Sequence, residues 1–92
     1  MNLLEQRPVL AANVRLRTRA GDDVAVLLYP EGLVELNETA RAVIGHCDGR
    51  TTTTQIIDTL AAEYDIDRPA IQLDVCECVT DLLRRKLLVL AA

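Results

Sequence analysis

The stretch of sequence that decides the fold is YPEGLVELN, residues 29–37. Pro30 fixes its own φ angle, and Gly32 can take the positive φ that a chain reversal often requires. The apolar residues that alternate over 33–36 suit a short strand with one buried face. Asn37 is a residue type that commonly caps the helix that follows it. The stretch therefore predicts a turn, a strand and a helix start in direct succession.

Two strands are predicted before this turn. Over residues 14–19, apolar or small residues alternate strictly with arginines, which is typical of a half-exposed strand. The apolar run at 24–29 has the length of a strand, and the segment 20–23 between the two has turn composition, so we expect a hairpin. Pro8 disfavours helix at the residue before it, and residues 1–12 are therefore expected to form an extended N-terminal arm.

Three helices are predicted after the third strand, because the apolar period changes there from two to about 3.6 residues. The first is stopped by the pair Asp48-Gly49. The second begins at Thr52, where Gln55 has the spacing of a capping box, and the third begins near Pro69. The buried stripes are expected to be Ile56, Ile57, Leu60, Ala61 and Tyr64 on the second helix, and Ile71, Val75, Cys78, Val79 and Leu82 on the third.

The resulting order, β-β-β-α-α-α, predicts an α+β domain. A three-stranded antiparallel sheet is followed by a three-helix bundle of helix-turn-helix type. We expect residues 1–92 to form this single domain, with the arm at its start. The terminal apolar run at 87–90 either extends the third helix or lies along the sheet.

Composition argues against nucleic acid as a partner. Tyr29 and Tyr64 are the only aromatic residues of the chain, so it lacks the platforms on which many nucleic-acid modules stack bases. The net charge is −4, and residues 51–92 carry seven acidic side chains against four basic ones. An acidic half is a poor phosphate binder. A basic or amphipathic peptide is the better match.

The cysteines and the termini predict a cytoplasmic protein. The chain has three cysteines, Cys47, Cys76 and Cys78, and no secretory signal at its N-terminus. Reduced, buried thiols are the expected state of such residues in the cytosol. No apolar run approaches the length of a membrane span.

No set of residues matches a catalytic or metal-binding pattern. Cys76 and Cys78 lie two positions apart on a predicted helix and therefore point about 200° away from each other. His46 and Cys47 are helix neighbours whose side chains diverge, whereas a nucleophile and its base must meet at hydrogen-bond distance. The spacing of the remaining ligand types matches no zinc template. We expect no metal, no cofactor and no enzymatic activity.

Two surfaces have the composition of a binding site. Arg15, Arg17 and Arg19 form a basic stripe, which is either a solvated strand face or a docking surface for an acidic partner. The third helix has a second apolar stripe beside its buried one, which indicates burial on two sides or the wall of a groove. If the third strand is a sheet edge next to that wall, a peptide can add to it as a further strand.

The sequence resembles the pyrroloquinoline quinone biosynthesis protein D family from about residue 7 to residue 90. The resemblance rests on Arg7-Pro8, Val14-Arg15-Leu16-Arg17, Tyr29-Pro30-Glu31-Gly32, Leu36-Asn37, Cys47-Asp48-Gly49, Thr52 and Asp74-Val75. Departures from the family pattern are Thr51, Thr53, Gln55, Cys78 in place of a common Phe, and Lys86 where a Gly often ends the third helix.

The resemblance implies a winged-helix-like domain and a non-catalytic peptide chaperone. Such a domain, the recognition element of ribosomal peptide modification (RiPP recognition element), binds the precursor peptide of the quinone by strand addition. It then presents that peptide to a radical S-adenosylmethionine enzyme. Carried over to this chain, the peptide-binding residues are Leu33, Val34, Glu35, Leu36, Leu73, Asp74, Cys76 and Glu77.

Two other functions stay open at this point. A winged-helix nucleic-acid-binding or regulatory domain has the same element order, although Asp74, Glu77 and Asp81 on its third helix would face phosphates. A pure assembly subunit would bind only the enzyme, with Arg15 and Arg17 as the docking residues. Oligomeric state is open between a monomer and a weak homodimer, because an exposed edge strand can pair with a second copy.

Overall fold

The computed structural model describes residues 2–18 and 24–91, so that Arg19 and the predicted turn at 20–23 lie outside the described residues. A 3-10 helix at Leu3–Glu5 opens the described chain. The predicted α+β order of three strands and three helices is confirmed, and a strand is added at each end. The strands are β1 (Arg7–Leu10), β2 (Arg15–Thr18), β3 (Ala25–Tyr29), β4 (Gly32–Leu36) and β5 (Leu88–Ala91), and the helices are α1 (Glu38–Ile44), α2 (Thr53–Tyr64) and α3 (Arg68–Arg84).

The three-stranded sheet is antiparallel and has the order β2-β3-β4, so β4 is an edge strand. Tyr29 pairs with Gly32 across the turn, and Pro30 and Glu31 occupy its two central positions. This is the placement of Pro and Gly that type I turns favour. Gly32 has φ +153°, which confirms the predicted positive angle.

The helices begin where their caps predict. The side-chain oxygen of Asn37 accepts a hydrogen bond from the Ala40 N–H at 2.8 Å. At α2 the capping box is complete, because Thr52 Oγ1 accepts from the Gln55 N–H at 3.2 Å and Gln55 Oε1 accepts from the Thr52 N–H at 2.8 Å. Each cap satisfies backbone donors that have no partner inside the helix. α1 ends at Ile44, four residues before the predicted stop.

One hydrophobic core joins the inner face of the sheet to all three helices. On the second helix, burial is confirmed for Ile56, Ile57 and Leu60, whereas Ala61 is half-buried and Tyr64 is 45% exposed. On the third helix Cys78 is half-buried instead of buried. The core consists of Val14, Ala25, Leu27, Leu36, Val43, Ile44, Cys47, Ile56, Ile57, Leu60, Ile71, Val75, Val79, Leu82, Leu87 and Leu88.

The two ends of the chain form a second sheet. β1 pairs with β5 in antiparallel register, from Arg7 opposite Ala91 to Leu10 opposite Leu88. The predicted arm at 1–12 therefore contains a short 3-10 helix and a paired strand. The terminal run, left open between helix and sheet, is a strand, and its partner is that arm.

The loop between α1 and α2 is tied to β1. The carboxylate of Asp48 accepts hydrogen bonds from the N–H groups of Arg50 and Thr51, both at 2.8 Å. These bonds favour the ionised form, and they hold the pKa of Asp48 below its usual value. Gly49 has φ +78° and donates its N–H to the Pro8 carbonyl at 3.0 Å. The Cys-Asp-Gly motif therefore has a structural role here.

α3 ends in a Schellman motif. The N–H of Leu87 donates to the Leu82 carbonyl, and the N–H of Lys86 donates to the Leu83 carbonyl, both at 3.0 Å. Lys86 itself has φ +63°, the left-handed conformation that a glycine commonly takes at this position. α3 therefore ends at Arg84 although no glycine follows it. Within the described residues no helix combines the length and apolarity needed to cross a bilayer.

Candidate functional site

A groove of about 440 Å³ runs between the edge strand β4 and helix α3. The end of β4 forms one wall, the start of α1 closes one side, and the exposed flank of α3 forms the opposite wall. The lining residues are Val34, Glu35, Leu36, Asn37, Thr39, Ala40, Asp74, Glu77, Cys78, Asp81, Leu82 and Arg85.

The β4 wall offers backbone as well as side chains. β4 pairs only with β3 among the described strands, so its other edge leaves N–H and C=O groups available to a further strand. Val34 and Leu36 point toward the helices, and their burial confirms that they share one face. Leu33 and Glu35 point to the opposite face of the sheet, where Leu33 is 61% exposed.

The α3 wall is fixed by the burial of the helix's other side. Ile71, Val75 and Val79 are buried against the core, which sets the rotation of α3 about its axis. Residues one position before a buried residue lie about 100° to one side of it, and on α3 that side faces the groove. Asp74 and Cys78 occupy such positions, and both line the groove.

Five of the eight predicted peptide-binding residues line this groove, and three do not. Leu33 projects from the outer face of the sheet. Leu73 and Cys76 line a neighbouring depression on α3 together with Pro69 and Gln72. The five that line the groove are Val34, Glu35, Leu36, Asp74 and Glu77.

Several groove residues were not predicted because other roles had been assigned to them. Cys78 and Leu82 were assigned wholly to the core, and Asp81 was considered only as a repellent of phosphates. Helical spacing identifies these three residues. Each lies three or four positions from another lining residue, such as Asp74 or Glu77, and therefore on the same flank of α3. Asn37, Thr39, Ala40 and Arg85 line the groove without having been predicted.

The groove has a negative electrostatic potential. Three carboxylates from α3 line it, and Arg85 is the one basic side chain among its lining residues. The guanidinium Nε of Arg85 lies 3.5 Å from Oδ2 of Asp81, so its charge is already partly balanced. The three carboxylates belong to Asp74, Glu77 and Asp81, whereas the side chain of Glu35 leaves β4 on the opposite face of the sheet.

The thiols near the groove are neutral at physiological pH. Burial, with smaller effects of Cys78 and Asp48, raises the pKa of Cys47 to about 12, and its Sγ donates to the Val43 carbonyl at 3.3 Å. Burial and then the charge of Asp81 raise the pKa of Cys78 to about 11. Burial also raises the pKa of Cys76. A neutral thiol is a weak nucleophile, and Cys78 therefore contributes apolar surface to the groove.

His46, the one histidine considered for nucleophilic catalysis or metal binding, lies outside the groove. Nε2 of His46 lies 3.7 Å from Oε2 of Glu63, and neither residue lines the groove. No group of three or more His, Cys, Asp or Glu side chains within residues 2–18 and 24–91 is arranged to hold a metal ion. The groove is suited to hold an extended chain by hydrogen bonds, apolar contact and charge.

The predicted docking arginines occupy the outer face of the sheet. Arg15 pairs with Leu28 and Arg17 pairs with Val26 across β2 and β3. Nη1 of Arg17 donates to the Leu16 carbonyl at 3.1 Å, which keeps its side chain close to the strand. Both arginines therefore share a sheet face with Leu33 and Glu35.

Comparison with known proteins agrees with this geometry. The family model described as coenzyme PQQ synthesis protein D (PqqD) matches residues 25–88. A relative from Xanthomonas campestris pv. campestris strain 8004, named PqqA binding protein, is 45% identical over 81 residues, which is 88% of each chain.

Two solved structures share the fold. One is the solution NMR structure of the PqqD truncation of Methylobacterium extorquens PqqCD, described as a functional and stand-alone RiPP recognition element. Its TM-score is 0.76 at 35% sequence identity, and the match covers 89% of this chain and 87% of that one. The other is the crystal structure of PqqD from Xanthomonas campestris, with a TM-score of 0.60 at 43% identity, covering 86% of this chain and 88% of that one. Since the family model spans most of this sequence and the relative is alike over nearly all of it, the chain belongs to the coenzyme PQQ synthesis protein D family.

Proposed function

We propose that this chain is a non-catalytic peptide chaperone of pyrroloquinoline quinone biosynthesis. It binds the precursor peptide as an added strand on β4 and presents that peptide to a radical S-adenosylmethionine enzyme in the cytoplasm. The observation that carries the proposal is the open edge of β4 beside a groove that α3 completes. The name of the 45% identical relative, a PqqA binding protein, supports a precursor peptide as the ligand.

Strand addition divides the interaction between backbone and side chains. Hydrogen bonds from β4 give affinity that is independent of peptide sequence, and alternate peptide side chains enter the groove and give specificity. The groove offers apolar contacts with Val34 and Leu82 and carboxylates on α3. Peptide side chains directed there are expected to be apolar or cationic. A single added strand buries a small interface, so we expect a Kd of about 1 μM, which corresponds to a binding free energy of about −8 kcal/mol.

The peptide-binding residues of the proposal follow from the groove and from the strand. Leu33 takes part through its backbone, since its side chain projects from the other face. Leu73 and Cys76 would contact a peptide only if it extends past the groove along α3. Arg15 and Arg17 are proposed to dock the enzyme, because they lie on a face that the bound peptide leaves open.

Titration of 15N-labelled protein with the precursor peptide, followed by amide NMR, tests this function. We expect the largest shifts at residues 33–36 and at the groove side of α3, around Asp74, Cys78 and Asp81. A peptide of the same composition in scrambled order serves as the control, because it retains the charge and loses the pattern of side chains. Shifts confined to β2, or equal shifts with both peptides, would contradict binding in the groove.

A further inference from the structure

The outer face of the three-stranded sheet carries two ordered rows of side chains. The pairing of β2, β3 and β4 sets Arg15 opposite Leu28 and Leu28 opposite Leu33. The second row crosses β2, β3 and β4 in the same order, with Arg17 opposite Val26 and Val26 opposite Glu35. We define the outer face by these two rows, Arg15–Leu28–Leu33 and Arg17–Val26–Glu35.

The outer face is basic along β2 and apolar in the middle, and Glu35 adds one carboxylate at β4. Leu28 is 37% exposed and Leu33 is 61% exposed, and the two are directly opposite each other on neighbouring strands. Neither Arg15 nor Arg17 forms an ion pair with a carboxylate of the described residues. The outer face therefore leaves two guanidinium groups and a cross-strand leucine pair available to a partner.

Both rows end at β4, which is the strand that the peptide joins under the proposed function. An added strand lies about 4.8 Å beyond β4, and its successive side chains point to opposite faces of the sheet. Half of the peptide side chains then enter the groove, and the other half continue the rows of the outer face. The bound peptide thus becomes the fourth strand of that face.

We propose that the outer face and the outward side chains of the bound peptide form one composite docking surface. Its occupant is a surface of the peptide-modifying enzyme that presents carboxylates around an apolar contact. Arg15 and Arg17, which form no ion pair with another described residue, are complementary to the carboxylates, and Leu28 with Leu33 is complementary to the apolar contact. The inference rests on the proposed function, since only a strand added to β4 completes the surface.

A composite surface couples the two binding events. The enzyme contacts more surface when the peptide is in place, so it binds the loaded chaperone more tightly than the empty one. By linkage, the enzyme raises the affinity of the chaperone for its peptide by the same factor. The complex therefore favours delivery of a loaded chaperone and release of an empty one.

Binding of the enzyme to fluorescently labelled chaperone, with and without saturating precursor peptide, tests the coupling. We expect the peptide to lower the Kd of the enzyme about fivefold or more, the usual range for coupled sites.

The double variant Arg15→Glu with Arg17→Glu should lose this enzyme binding, while its Kd for the peptide stays within about twofold of wild type, because rim charges act mainly on their own interface. Arg50→Glu with Lys86→Glu, at two exposed residues outside the outer face and the groove, makes the same change of charge and should behave as wild type.

A substitution scan of the peptide separates the two faces. Single substitutions should fall into two interleaved sets, one that weakens binding to the chaperone and one that weakens only binding of the enzyme to the loaded chaperone. Leu33→Ala on the chaperone should act like the second set, because its side chain belongs to the outer face.

The results distinguish this inference from the proposed function. If the peptide does not bind at β4, the proposed function itself fails. If the peptide binds there but the Kd of the enzyme is the same with and without it, the composite surface is wrong and the chaperone function stands. A scan whose sensitive positions recur every three or four residues would also overturn the inference, because a helical peptide cannot continue the rows.

Discussion

Lys86 ends α3 in a backbone conformation that glycine usually occupies, with φ +63°. A non-glycine residue in the left-handed region costs about 1–2 kcal/mol, part of which is offset because glycine is more flexible in the unfolded chain. We therefore expect Lys86→Gly to raise the free energy of unfolding by about 0.5–1 kcal/mol. Chemical denaturation followed by circular dichroism measures the change.

Lys86→Ala is the matched control for this change. It removes the same charge and keeps a Cβ atom in the left-handed conformation, so its stability should stay close to that of the wild type. An equal gain from both variants would assign the effect to charge and would contradict the backbone explanation.

The thiols are predicted to react in the order of their burial. Cys76 is the first to be alkylated by iodoacetamide at about pH 8, because the pKa values of Cys47 and Cys78 are about 12 and about 11. Mass spectrometry of briefly treated protein measures the order. Labelling of Cys47 at the same rate as Cys76 in folded protein would contradict the burial of Cys47.

The raised pKa of Cys47 also makes stability depend on alkaline pH. The folded protein holds the proton more tightly than the unfolded chain, whose thiol has a pKa near 9.0. The resulting stability is fully present below about pH 9 and is lost as the pH rises toward 12. Cys47→Ala should reduce the decline in unfolding free energy over this interval, and an unchanged decline would show that other groups cause it.

At the scale of elements, the pairing of β1 with β5 closes the core at the two ends of the chain. Leu88 of β5 is 1% exposed, whereas its neighbour Val89 points outward and is 44% exposed. We expect Leu88→Ala to lower the free energy of unfolding by about 2–5 kcal/mol, the usual cost of truncating a buried leucine. Val89→Ala is the matched control and should cost less than about 1 kcal/mol. Equal costs would contradict the register of β5.

The elements that the sequence predicted correctly are those with local signals. The hairpin turn at Pro30, the cap at Asn37 and the capping box at Thr52 each depend on residues within four positions of one another. The partner of the terminal run 87–90 lies about eighty residues away along the chain, in the N-terminal arm, and no local pattern identifies it. For that reason β1 was not predicted as a strand, and the run that forms β5 was left open between helix and sheet.

The candidate site was predicted only in part, because its geometry also depends on contacts that leave no local signal in the sequence. The β4 wall follows from a strand whose position in the sheet was inferred correctly, and Asp74 and Glu77 follow from the resemblance to the family. The resemblance also implied Leu73 and Cys76, which belong to the second apolar stripe of α3, but the burial of Val75 and Val79 turns that stripe away from β4. Which flank of a helix faces a strand depends on tertiary packing, and apolarity alone does not determine it.

At the scale of the whole molecule, charge is divided between two surfaces. Three carboxylates of α3 line the groove, and the arginines of β2 lie on the outer face. The division separates a surface for a cationic or apolar peptide from a surface for an acidic protein.

The charge of α3 also argues against a nucleic-acid duplex as ligand, because α3 would bring Asp74, Glu77 and Asp81 toward phosphates. A duplex-binding assay at low salt, where electrostatic attraction is strongest, is expected to show no complex.

Peptide binding in the groove is predicted to weaken with salt. If cationic peptide side chains contact the carboxylates of α3, raising the ionic strength from about 0.05 M to about 0.5 M screens those contacts. We expect a rise in Kd of about threefold or more, since exposed ion pairs contribute about 0.2–1 kcal/mol each. Fluorescence anisotropy of the labelled precursor peptide measures the affinity at each salt concentration.

Two double variants of equal charge change locate the effect. Asp74→Asn with Glu77→Gln removes groove carboxylates, so it should weaken binding at low salt and flatten the dependence on salt. Glu5→Gln with Glu63→Gln removes the same charge from exposed sites outside the groove and should keep the wild-type dependence. If both variants flatten the dependence equally, the net charge of the protein governs the attraction. If neither changes it, peptide binding depends on the β4 backbone and on apolar contacts, and the carboxylates of α3 do not select the peptide.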